Sequence, residues 1–358
     1  MKKLLMILIA AVAGVTVATA QEALAVLTHG TTTKTFTGYY ALQNAYAAAT
    51  HGDLITLSSG TFGAVNLAKT ITVRGAGMEQ DKTYGTQPTV IDGNFTLCVP
   101  DTIGGIVTVE GIYNSGTIYY SNYVQRGPKF IKCRLNNVLP GSYTSNGTSY
   151  TGVTKDATFL HCKVANEVVC NEKSSMTFIN CFVKHPQTRN TSTSNLTFHN
   201  CVIDVTYKNS GVFSSFSYSD GSYYNVHLYS SIFTNCIFVN TNTNYSSYYG
   251  AYTTLQNCLL PSGWSFDTSR SSYWNYDKRL DVFKTYDGSY SNEQDFQLTD
   301  TAKSKYVDSQ GRQVGIHGGT FPFSARVAGP HLKTMQVSPR STGDGKLNVK
   351  VRIENTGY

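Results

Sequence analysis

Charge is what this sequence has least of. Asp, Glu, Lys and Arg make up 14% of its 358 residues, against about 25% in ordinary globular chains. A coiled coil needs Glu and Lys in quantity, and a nucleic-acid surface needs clustered Arg and Lys. Neither is expected here, and no nucleic-acid partner is expected. After residue 20 no apolar run is long enough to cross a bilayer as a helix, so no transmembrane segment is expected. Zinc-ligand spacings and a phosphate-cradling glycine loop are also missing, so no metal or cofactor site is expected. What is present is 41% apolar residues with 25 tyrosines. That is enough to bury a core and to exclude wholesale disorder.

The first twenty residues read apart from the rest. Lys2 and Lys3 precede an apolar stretch from Leu4 to Val17. Ala18-Thr19-Ala20 then offers small residues before polar Gln21-Glu22. A positive start, a short apolar stretch and a small-residue site form the pattern of a signal peptide, residues 1–20. Cleavage is expected near Ala20-Gln21, leaving a mildly basic protein in the periplasm or at the cell exterior.

An internal repeat follows. Phe130-Ile131-Lys132-Cys133-Arg134-Leu135 is its first copy. Phe159-Leu160-His161-Cys162-Lys163-Val164, Phe178-Ile179-Asn180-Cys181-Phe182-Val183 and Phe198-His199-Asn200-Cys201-Val202-Ile203 come next. Phe233-Thr234-Asn235-Cys236-Ile237-Phe238 and Leu255-Gln256-Asn257-Cys258-Leu259-Leu260 complete the set, with cysteines 29, 19, 20, 35 and 22 residues apart. A period near 20 is too short for two-helix repeats, which need about 33 residues or more. It fits one turn of a strand solenoid better than a β-sandwich with coincidental Asn-Cys pairs. Cys and the apolar residue two later share a strand face, so both point inward. The Asn-like residue before Cys marks a corner, because Asn tolerates the left-handed conformation of a sharp bend. Stacked turns lie about 4.8 Å apart, so like residues form columns. An Asn ladder is expected, each amide donating to the next carbonyl.

This repeat resembles the right-handed parallel β-helix of the pectin-lyase-like superfamily, over about residues 36–320. The resemblance implies an all-β fold and is silent on activity. Alanine-rich Tyr40–Ala49 reads as a helical cap, about residues 39–50, of a kind common at the start of that superfamily. Asp53–Leu57 and Ile71–Val73 read as strands, Gly60-Thr61-Phe62 as a turn. Val90–Gly93 and Ile106–Val109 continue the winding. The β-helix domain is placed at 21–325 and a C-terminal β tail at 326–358. Leu332–Val337 and Leu347–Ile353 form its two strands, as a hairpin or part of a small sandwich. The six repeat cysteines are expected as free thiols, since a disulfide brings Cβ atoms to about 3.8 Å. Only Cys98 and Cys170 remain to pair.

Two long intervals place excursions near Leu139–Asp156 and Tyr207–Leu228, on the same side of the solenoid. Thirteen of the 25 tyrosines lie between residues 207 and 290. Tyr223, Tyr224, Tyr248, Tyr249, Tyr252 and Trp274 are candidate ligand contacts, their flat rings suited to stacking on sugars. Outward positions after each Cys give a basic strip of Arg134, Lys163 and Lys184, with Asp204 one turn on. Such a strip suits an acidic polysaccharide, and one of its groups suits the base of a β-eliminating lyase. Against an enzyme stand the missing acidic cluster for calcium and the missing paired-carboxylate motifs. Later outward positions, such as Phe182, Val202, Ile237 and Leu259, are apolar. They predict a cover, the Tyr-rich loop or the tail. The leading expectation is a secreted β-helix that binds carbohydrate, a polysaccharide or oligosaccharide. The alternatives are a polysaccharide lyase or hydrolase for an acidic glycan, and a structural or adhesive surface protein. Nothing in the sequence points to an oligomeric state.

Overall fold

The computed structural model of the protein describes residues 22–356 except 82–84, 101, 122–123, 146–147, 189–193, 205–215, 218–222, 225–229, 240–252, 264–267, 328 and 338–348. The signal-peptide stretch 1–20 lies outside the described residues.

Two long sheets, mostly parallel, dominate the molecule. One has 11 strands, in the order Thr32–Thr37, Leu24–His29, Leu54–Leu57, Thr72–Arg74, Thr108–Glu110, Lys129–Ile131, Ala157–Leu160, Ser175–Ile179, Asn195–His199, Ile232–Thr234 and Thr254–Gln256. The other has 13. From Leu54 to Gln256 each turn adds one strand to the first sheet and one or two to the second. An all-β chain that winds in this way is compatible with a parallel β-helix.

The repeat motif sits at the first corner of each turn. Phe130, Phe159, Phe178, Phe198 and Phe233 lie one residue before the ends of first-sheet strands, are at most 1% exposed, and stack. Their ring centroids are 5.0, 4.4, 5.1 and 4.7 Å apart. Lys132, His161, Asn180, Asn200, Asn235 and Asn257 follow, with φ between 48° and 56°. This left-handed turn costs an ordinary L-residue roughly 1–2 kcal/mol, which is why Asn recurs there. Each Cys then opens the second-sheet segment, fully buried, with Leu135, Val164, Val183, Ile203, Phe238 and Leu260 beside it in one core.

The earlier turn makes the same corner without the motif. Gly111, at φ 65°, stands where the later turns have Asn, and Ile112 where they have Cys. A Cβ on Gly111 would lie 2.5 Å from Val327 Cγ2, so glycine serves both the conformation and the close approach.

The second sheet bends. Its register shifts between Asn114 and Thr117 and between Leu135 and Asn137, and the same strands continue as a third face. Phe95–Leu97 and Pro186–Thr188 pair with that continuation, and Phe95–Leu97 also pairs with Asn66–Leu67. The amide ladder lies at this bend. Asn166 Nδ2 donates to Asn137 Oδ1 at 2.5 Å, Asn137 Nδ2 donates to Thr117 Oγ1 at 3.3 Å, and Thr117 N–H donates to Asn94 Oδ1 at 3.0 Å. At the motif corner no such ladder runs among the described residues. Asn180 donates both amide hydrogens elsewhere, to Ile316 O and Gly318 O.

The start differs from the expectation in one addition. Ala41–Ala48 is the helix, and Ala41, Leu42 and Ala45 bury against the core. Ahead of it an antiparallel hairpin, Leu24–His29 with Thr32–Thr37, pairs with Leu54–Leu57 and extends the first sheet by two strands. Gly60–Gly63, read as a turn, is a strand that pairs with Thr89–Asp92. At the far end Gly329–Val337 and Val349–Thr356 form the expected antiparallel hairpin.

All eight cysteines are free thiols. In the column, Cys162 Sγ–H donates to Phe130 O at 3.3 Å, and its N–H donates to Cys181 Sγ at 3.2 Å. Burial pushes Cys170 up to about 12 and Cys133 well above the usual thiol range. Every thiol of the repeat column is fully buried, out of reach of a reagent in solution. The native protein at pH 8 should therefore leave the column unlabelled by a thiol reagent over minutes. After denaturation without reductant all eight thiols should titrate; a deficit of two or more would reveal a disulfide.

Candidate functional site

The outward face of the second sheet is where the basic strip was expected, open to solvent. The structure corrects this. Lys163 is 2% exposed and Asp204 is 2% exposed. Lys163 Nζ donates to Glu79 Oε2 and to Asn292 O, both at 2.9 Å, with Phe323 over it at 5.5 Å. Arg134 pairs in register with Lys163, but Lys163 pairs with Phe182, so the basic column is two turns long. Lys184 belongs to the neighbouring column and pairs with Asp204. The Arg134 guanidinium lies 4.0 Å over the Tyr113 ring.

A cover encloses this face. Tyr276, Val282, Phe283, Tyr286, Phe296 and Leu298 pack on Phe182, Val202, Ile237, Val239 and Leu259 to make a second core. Among the described residues the cover is the end of the Tyr-rich span, from Tyr276 to Tyr290, with the stretch that follows it, and not the tail. Phe182 is sandwiched by Tyr290 and Phe296 at 4.5 and 4.8 Å. Burial raises the Tyr276 and Tyr286 hydroxyls far above the phenol range, and the Asp204 charge pushes the same way. Burial carries Tyr290 up to about 12, partly offset by Arg134. None of these phenols is poised to exchange a proton near neutral pH.

Beyond the cover the chain runs back along the motif corner as a strap. Gly315 N–H donates to Asn235 O at 2.8 Å. Gly319 lies against Asn200, where a Cβ would sit 2.6 Å from its Nδ2. Asn180 holds Ile316 O and Gly318 O, each at 2.8 Å. His161 Nε2–H donates to Phe321 O at 3.0 Å, and Lys132 Nζ donates to Arg326 O at 2.5 Å. Val327 reaches Gly111. The left-handed corner residues thus have a second task, and it explains why the column holds Lys, His and Asn.

His161 makes the strap sensitive to pH. Burial lowers it below the ordinary imidazole value of 6.5, and nearby Lys132 pushes the same way, while the Phe321 and Ser324 backbone opposes them. Its Nδ1 is buried without a hydrogen-bond partner among the described residues. The docked state therefore favours the neutral ring. Its contribution is fully present above the free value and is lost as pH falls through the lowered one. Amides of residues 314–326 should exchange faster at pH 5 than at pH 7.5, after correction for intrinsic rates. His161→Asn should flatten that dependence. Equal protection at both pH values would contradict the assignment.

Where the strap ends it meets the segment 76–81 across a cavity of about 310 Å³. Glu79, Gln80, Asp81 and Thr86 line one side, Ser324 and Arg326 the other. Arg326 Nε donates to Asp81 Oδ2 at 3.1 Å. Sequence reasoning missed this site because its two walls are 245 residues apart and neither carries the repeat.

The aromatic candidates divide. Trp274 is partly buried in the cover, 5.7 Å from Tyr306. Tyr223 and Tyr224 form a short strand that pairs with Phe216–Ser217. Tyr248, Tyr249 and Tyr252 lie outside the described residues. Both excursions contain hairpins. The first is Ser142–Ser145 with Thr148–Thr151, placing Tyr143 opposite Tyr150. The second places Phe216 opposite Tyr224. Each leaves after a second-sheet strand and returns to a first-sheet strand. Among the described residues no group of His, Cys, Asp or Glu is arranged to hold a metal, and no helix is long and apolar enough to cross a membrane. Compared with protein-family models, curated proteins and solved structures, the chain matches none.

Proposed function

We propose that the protein is a secreted right-handed parallel β-helix of the pectin-lyase-like type that binds polysaccharide and does not cleave it. The observation that carries this reading is the pair of aromatic hairpins. Tyr143 pairs in register with Tyr150, and Phe216 with Tyr224, in antiparallel strand pairs on excursions with the same topological exit. Opposed aromatic residues on a rigid scaffold suit the flat C–H faces of sugar rings. The hand follows from the strong right-handed preference of parallel crossovers. Secretion rests on Lys2, Lys3 and the apolar stretch to Val17. Of the lyase or hydrolase candidates, Lys163 and Asp204 are enclosed by the cover, while Arg134 and Lys184 stay half-buried. An enclosed nitrogen or carboxylate has no line to a substrate.

Affinity gel electrophoresis against neutral and uronate polysaccharides tests the proposal. Wild-type protein should be retarded by at least one polymer, with no release of reducing ends or of ultraviolet-absorbing unsaturated sugar. Converting both Tyr143 and Tyr150 to Ala removes two contacts of about 1 kcal/mol each, so retardation should weaken by about tenfold or more. Free mobility in every polymer would sink the reading.

A further inference from the structure

The cavity between residues 76–81 and the end of the strap has no part in the aromatic hairpins. Its volume of about 310 Å³ is at the lower edge of the roughly 300–1,000 Å³ typical of small-molecule sites. That suits one sugar residue, and excludes a long polymer segment. We propose that it is a binding site for a small neutral polyhydroxy ligand, the size of a single sugar residue.

The charges decide the ligand class. Glu79 is held by Lys163 beneath it, and Asp81 is held by Arg326 across the cavity. Each carboxylate already has an internal cation, so the site offers no net charge to a free ion. What it offers is planar acceptors and donors at fixed positions. Lys163 engages Oε2 of Glu79, which leaves the other carboxylate oxygen to accept from a hydroxyl. Gln80 contributes an amide and Thr86 a hydroxyl, while Ala76, Ala325 and Val327 give apolar surface for the C–H edges of a ring. Carboxylates that already have cation partners suit vicinal diols better than ammonium or phosphate groups, whose charge would meet no uncompensated partner.

The site also depends on the strap. Ser324 to Val327 form one wall, and they are placed by Lys132 on Arg326 O and by Arg326 on Asp81. A bound ligand bridges the two walls and stabilises the docked strap by mass action. The ligand class rests on the carbohydrate reading above; the site itself does not.

Saturation-transfer NMR of the whole mature protein with neutral hexoses, a hexosamine and a hexuronate tests this. A neutral hexose should give the strongest transfer. Ala325→Phe puts a ring into the cavity from one wall and should cut the hexose affinity by at least tenfold in a protein whose circular dichroism shows it folded. Thr86→Val should weaken it more mildly. The proposal falls if no neutral hexose binds, if the charged sugars bind better, or if a folded Ala325→Phe protein binds as well as wild type. Polymer retention without any hexose signal would sink this site and leave the hairpin reading standing. Hexose binding without polymer retention would do the reverse.

Discussion

Phe178→Ala is expected to destabilise the protein by about 3–5 kcal/mol, in line with other aromatic truncations in packed cores. Phe178 is fully buried, with Phe159 at 4.4 Å below and Phe198 at 5.1 Å above. Its neighbours cannot collapse into the gap, because their own spacing is fixed by strand hydrogen bonds on both sides. The loss therefore combines transfer from water with an unfilled cavity. Urea unfolding followed by far-ultraviolet circular dichroism measures it. Phe321→Ala is the control, since Phe321 is 72% exposed and should change stability by less than about 0.5 kcal/mol. A Phe178→Ala loss below 1 kcal/mol would mean that the stack is not the central packing element.

The second large effect concerns Lys163 and Glu79. Glu79→Gln should destabilise by about 2–3 kcal/mol, because it strips the counter-charge from a buried ammonium. Lys163→Met should cost less, because the charge it leaves unpaired sits on Glu79, which is 31% exposed and still reaches water. The asymmetry is the test. A Glu79→Gln protein more stable than Lys163→Met would show that the pair is not desolvated as described. The same asymmetry speaks to function, since a buried lysine engaged with Glu79 and Asn292 is out of reach of a substrate.

The periodic part of the fold was legible because each motif residue repeats one role in turn after turn. Phe stacks, Asn bends, Cys fills, and the period of about 20 admits a strand solenoid. The parts that escaped are those where one residue does two things or where the pattern breaks. Gly111 and Ile112 make the motif corner without Asn or Cys. Thr117, Asn137 and Asn166 carry the amide ladder at a bend whose spacing varies from turn to turn. The Leu24–His29 and Thr32–Thr37 hairpin is short and Thr-rich, with no strong hydrophobic alternation on its second strand. For the site, alternation along a strand told correctly which residues leave the core. It did not tell what lies beyond them. Lys163 points outward from one core and into the contact with Glu79 and Asn292, a distinction that only chain segments 84 and 129 residues away can make.

The strap changes how the molecule would bear tension. A bare solenoid passes load only between adjoining turns and unwinds from an end. Here the segment 315–327 is fastened at Asn235, Asn180, His161 and Lys132 in succession. A pull on the C-terminal hairpin loads the Lys132 fastening first, then His161, then Asn180, one after another. Such peeling needs little force, because the bonds never share the strain. A pull between residue 22 and the last turn, by contrast, drags the strap lengthwise across all of its fastenings at once. In that direction it acts as a tie rod, and the turns it spans should yield together.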